Sequence, residues 1–102
     1  MDIKSKVVNN VLYILLSGEL DDYSSIYTRD VLDNIIETNK YSSVVFDMSS
    51  LQFMDSTGIG VLIGRYKKLK QMHKNSFISH PTKTIEKIFT MSGIYEIMPK
   101  IQ

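Results

Sequence analysis

Asp55-Ser56-Thr57 sets an acid and two hydroxyls directly before three closely spaced glycines, Gly58, Gly60 and Gly64. The apolar residues Ile59, Leu62, Ile63, Tyr66 and Leu69 recur at helical period, so the acid and hydroxyls stand at a helix start. A hydroxyl in that place suits phosphorylation. The helix dipole and its free N–H groups favour negative charge by roughly 0.3–1 kcal/mol, and a phosphate adds about −1.5 to −2 charges. The fold would tolerate it, whereas a docked partner would not. Like charges opposed across an interface are strongly destabilising, here with Asp55 adjacent and Asp21 expected close by. Spacing alone leaves Ser49, Ser50 and Thr57 as rival acceptors.

Ser56 reads as the N-cap, its oxygen accepting a first-turn N–H. The glycines need a separate reason, since each costs about 0.8–1 kcal/mol relative to alanine in a helix interior. Gly60 and Gly64, four apart, share one stripe. Such a smooth stripe admits either a partner's surface or the domain's own sheet and first helix.

Other chemistry finds no support. A nucleophile elbow needs G-x-S-x-G, but the serine stands in M-D-S-T-G. The only histidines, His73 and His80, lie far from Ser56 along the chain, and no Gly-Lys-Ser/Thr phosphate loop occurs. Cysteine is absent, no H-x-x-x-H spacing exists, and Asp21, Asp22, Asp47 and Asp55 are scattered. A non-enzyme without metal or cofactor is expected.

The supporting elements follow from pattern. Ile3, Ser5 and Val7 alternate with polar residues, Asn9-Asn10 tolerates left-handed backbone, and Val11–Leu16 is apolar: a hairpin. SGELDDYSS reads as a loop ending at a cap, Ser24 or Ser25. The helix after it carries Tyr27, Val31, Leu32, Ile35 and Ile36 and fades near Thr38-Asn39. Ser43–Met48 reads as a central strand covered on both faces. SSLQFMD is a loop leading to the glycine-bearing helix, which ends around Met72–Lys74. Asn75–Ser79 is a further strand. Pro81 suits the first turn of a helix carrying Ile85, Ile88 and Phe89 and stopped by Gly93. Ile94–Ile97 reads as a last short strand, with Ile97-Met98 and Ile101 exposed beyond it. The order is β-β-α-β-α-β-α-β: one α/β domain, residues 1–102, a mixed sheet with helices packed on it. Strand-to-helix loops gather at the carboxyl ends of such strands, so SGELDDYSS and SSLQFMDST should be neighbours.

With 102 residues, 43% of them hydrophobic and 23% charged, the chain is one globular domain. A net charge of +1 argues against a nucleic-acid partner. The basic cluster Arg65, Lys67, Lys68 and Lys70 reads as a solvated helix face. No apolar run reaches membrane-spanning length and no signal peptide is evident, so a cytoplasmic protein without membrane contact is expected.

SGELD (Ser17–Asp21), FMDSTGIGVLIGRYKKLK (Phe53–Lys70) and KIFTMSGI (Lys87–Ile94), in this order and spacing, resemble the STAS-domain anti-anti-sigma factors of the SpoIIAA type, which control sporulation sigma factors. The resemblance covers essentially the whole chain and implies the same fold. It implies binding to an anti-sigma factor that is itself a serine kinase, which frees a sigma factor. The serine after the motif's aspartate, Ser56 here, would be phosphorylated to end the complex, and a separate phosphoserine phosphatase would restore it. The motif match favours Ser56 over the other hydroxyls. Asp21 falls at the position beside the phosphoacceptor. Asp21, Asp55, Ser56, Thr57, Gly58, Ile59 and Gly60 would form the partner surface. Two departures stand out: the family's final helix is short or missing after Pro99, and HKNSFISHP is more polar than the usual strand. Two other readings are a STAS module sensing a small anion or nucleotide at the same helix N-terminus, and a STAS subunit of a larger signalling assembly.

Overall fold

In the computed structural model, which describes residues 1–102, the chain opens with β1 (Asp2–Val8) and β2 (Val11–Leu20). Then come α1 (Ser25–Thr38), β3 (Ser43–Met54), α2 (Ser56–Gln71), β4 (Asn75–Ser79) and α3 (Lys83–Ser92). Asn9 and Asn10, at φ 50° and 70°, make the left-handed two-residue turn that matches the twist of β1 and β2. The strands lie in the order β1-β2-β3-β4, with β1 antiparallel to β2 and the other pairs parallel.

That order never reverses. Two right-handed crossovers stepping the same way put α1 and α2 on one face of the sheet. The buried residues agree: Leu12, Ile14, Leu16, Val44, Phe46, Met48 and Ile78 share one cluster with Leu32 and Ile36, Leu62 and Leu69, and Ile85 and Phe89. β3 is buried on both faces at Val44–Phe46, as expected, but every helix lies on the same side of the sheet.

Four further expectations change. β2 and β3 run past their apolar cores to Leu20 and Met54, so SGEL and SSLQFM are strand, with register shifts along the pair. Residues 94–97 do not form a strand. Gly93, at φ 75°, ends α3 in a left-handed turn, and Ile94–Glu96 continues as a 3-10 turn. The chain then runs along the outer edge of β4, where Ile78 N–H donates to Pro99 O (2.9 Å) and Ile101 N–H to Ile78 O (2.9 Å). Met98 is fully buried and belongs to the core, while Ile101 is half exposed. Pro81 precedes α3, whose N-cap is Thr82.

The helix faces are also rotated from the sequence reading. In α1 the buried residues are Thr28, Leu32 and Ile36, with Tyr27 exposed. In α2 they are Gly58, Val61, Leu62 and Leu69, while Ile59, Ile63 and Tyr66 pack at the margin of the core.

Candidate functional site

The carboxyl ends of β2 and β3 meet at Leu20 and Met54, and Asp55 N–H donates to Leu20 O (3.3 Å). The two loops are neighbours, as expected. Asp55 has extended backbone, and its Oδ1 accepts from Gly58 N–H at 2.9 Å. Asp55 is therefore the N-cap of α2, and Ser56 is the first helical residue. This corrects the reading of Ser56 as the cap. The acid is the better cap at a helix start, since its charge also meets the dipole.

The adjacent hydroxyls have different fates. Thr57 Oγ1 donates to Asp22 Oδ1 at 2.5 Å, tying the β2–α1 loop to the first turn of α2. Ser56 is exposed to solvent. Asp21 turns into its own loop, where Oδ1 accepts from Tyr23 N–H (3.0 Å) and Ser24 N–H (3.1 Å). Ser24 completes that knot by donating to Glu19 O (2.8 Å), so it stands before α1 without capping it by its side chain. Asp22, not singled out by the sequence, is thus the acid that touches α2. Only the paired acids Asp21-Asp22 hinted at it, and adjacency cannot say which one turns outward.

The glycines divide as sharply. Gly58 is buried where any Cβ would collide with Leu20 O and come within 2.7 Å of Met54 Cγ, so it lets α2 sit down on β2 and β3. A Cβ at Gly60 or Gly64 would meet nothing within 4 Å, so internal packing does not account for either glycine. Gly60 instead lines an open groove of about 360 Å³ between α1 and α2, with Ser25, Ile26, Arg29, Thr57 and Arg65. Ile26 is 64% exposed there, and Tyr23, in the loop before α1, is 99% exposed. Ile59 is half-buried at the helix margin.

The basic side of α2 is not simply solvated. Arg65 Nε lies 3.0 Å from Asp33 Oδ1 with its side chain only 11% exposed, and Lys68 reaches Asp33 (3.6 Å) and Glu37 (3.0 Å). These pairs bind α2 to α1 and hold the walls of the groove. No group of three or more histidines, cysteines or carboxylates is placed to hold a metal, and no helix is long and apolar enough to cross a membrane.

Among known proteins, the model of the STAS domain matches residues 2–102. An anti-sigma F factor antagonist of Paenibacillus polymyxa is 34% identical over 99 residues, 97% of this chain and 85% of that protein. The anti-sigma factor antagonist SpoIIAA in its unphosphorylated form is similar in structure, with TM-score 0.80 and 25% identity, covering 99% of this chain and 89% of that one. The Bacillus cell fate determinant SpoIIAA in its phosphorylated form superposes with TM-score 0.72 at 25% identity, covering 99% and 92%.

Proposed function

The chain belongs to the STAS-domain family, and on that premise we propose that it is an anti-sigma factor antagonist switched off by phosphorylation of Ser56. Unphosphorylated, it binds an anti-sigma factor that is also a serine kinase, and a sigma factor is released. The phosphoryl group passes from ATP to Ser56 Oγ, ADP leaves, and the complex separates. A phosphoserine phosphatase returns the chain to its binding state.

The observation that carries this reading is the difference between two adjacent hydroxyls. Thr57 is tied to Asp22, while Ser56 is exposed on the first turn of α2. The groove beside it supports a docking role, because Gly60 opens outward in a groove that Ile26 also lines. A phosphate on Ser56 would stand close in sequence to the Asp55 carboxylate, and the Asp22–Thr57 pair lies at the next residue. The added charge then opposes any acidic or apolar partner surface seated there. Relatives of the same kind support the assignment of partner class, since the Paenibacillus polymyxa protein is an anti-sigma F factor antagonist.

The test is the intact mass of the chain after incubation with ATP and an anti-sigma F kinase, alongside Ser56→Ala. One added phosphate on the wild type and none on the variant is expected. A phosphate that persists on Ser56→Ala would move the acceptor elsewhere, and none on either would remove the kinase from the scheme.

A further inference from the structure

Strands joined by crossover helices normally have helices on both faces, yet here no helix packs on the face opposite α1, α2 and α3. Register sets two rows across it: Lys6, Tyr13, Val45 and Phe77, then Lys4, Leu15, Asp47 and Ser79. Val45 and Ser79 are each 5% exposed on this face, and Val45 stands outside the core cluster. Tyr13 and Val8 remain 38% and 43% exposed. Together with Lys4, Lys6, Leu15 and Asp47 they bound a shallow depression of about 660 Å³.

We infer that this face is the contact between two copies of the chain, packed sheet on sheet about a two-fold axis parallel to the strands and between β2 and β3. A two-fold interface must be complementary to itself. This face meets that demand, with lysines on β1, a carboxylate on β3 and apolar side chains between them. The rotation lays β2 of one copy over β3 of the other, so Tyr13 meets Val45 of the other copy. Lys4 and Asp47 stand at the same level along the strands. The rotation therefore sets Lys4 beside the other copy's Asp47, and symmetry makes the contact twice. Aligned sheets pack about 10 Å apart, a gap that a lysine side chain bridges. The lysines of the two copies go to opposite edges and do not meet. A partner carrying one sign of charge would leave either the lysines or Asp47 mismatched. Ser56, on α2 at the carboxyl ends of the strands, stays clear of this contact.

Sedimentation equilibrium over a wide concentration range tests the inference. The wild-type chain should show a monomer–dimer equilibrium. Lys4→Glu and Asp47→Lys should each weaken dimerisation by about tenfold or more, and the double variant should recover most of it because the pair is restored with signs exchanged. Circular dichroism checks that each variant is folded, and the milder Lys4→Gln and Asp47→Asn pair should weaken dimerisation in the same direction. A wild type that stays monomeric at millimolar concentration overturns the inference and leaves the face to a different partner. Single reversals that dimerise like the wild type overturn it as well, as would a double variant weaker than both.

Discussion

Asp55, not Ser56, caps α2, so the cap and the proposed phosphoacceptor are two neighbouring positions. Ser56→Ala removes an exposed hydroxyl that is not the cap, so thermal or denaturant unfolding should shift by no more than about 0.5 kcal/mol. The same variant should keep partner affinity and lose the phosphate. Ser56→Glu should stay folded and bind the anti-sigma factor more weakly. Equal affinity of the two variants would sink the switch. Asp55→Ala removes the side chain that accepts from Gly58 N–H, and urea unfolding should show a loss of about 1 kcal/mol. Gly58→Ala forces a methyl against Leu20 O and should cost about 1–3 kcal/mol by overpacking. The glycine is there for a close approach of helix to strand.

At the scale of the elements, α2 carries glycines that its own fold does not need. A methyl at Gly60 or Gly64 meets nothing within 4 Å. Gly60→Ala and Gly64→Ala should each stabilise the chain by about 0.5–1 kcal/mol. If the groove between α1 and α2 receives the partner, Gly60→Ala should at the same time lower partner affinity in a calorimetric titration. A more stable variant with unchanged affinity would move the contact off Gly60. The groove walls depend on Asp33, which faces the nearly buried Arg65 at 3.0 Å and Lys68 at 3.6 Å. Removing one partner of a shielded pair leaves a charge without compensation. Asp33→Ala should therefore destabilise the chain more than Asp30→Ala, whose pair with Arg29 is long at 3.8 Å and largely exposed.

For the whole molecule, Glu86 ties α3 to the residues that run along β4. Its carboxylate accepts from Lys100 Nζ (3.0 Å) and from Tyr95 OH (2.9 Å). Lys100 and Tyr95 hold Glu86 below the usual glutamate range, while burial and the nearby carboxylate push Tyr95 up. A carboxyl depressed by folding stabilises the folded chain above its unfolded value and stops doing so as pH falls through the folded one. Thermal melts should therefore show stability declining as the solution is acidified through and below the glutamate range. Glu86→Gln should flatten that limb. An unchanged acid limb in Glu86→Gln would assign it to other carboxylates.

Periodicity and turn chemistry were enough to read the hairpin at Asn9-Asn10, the existence and type of α1, α2 and α3, the stop at Gly93 and β4, because each is a local preference of neighbouring residues. The motif Asp55–Gly60 and the meeting of its loop with SGELDDYSS were equally legible, since a parallel sheet brings such loops together. Local pattern could not decide what depends on contact across the chain. The sheet continues through the polar SGEL and SSLQFM because β2 and β3 supply each other's hydrogen bonds. Residues 94–97 turn instead of extending because Gly93 reverses the chain and Met98 enters the core. Asp22 rather than Asp21 reaches Thr57, from 35 positions away along the chain. The sheet face without helices follows from a strand order that never reverses. Sequence thus determined the elements and the motif at the start of α2, because those rest on neighbours along the chain. Tertiary structure decided which hydroxyl is free and which surfaces face outward, because those rest on residues brought together from more than thirty positions apart.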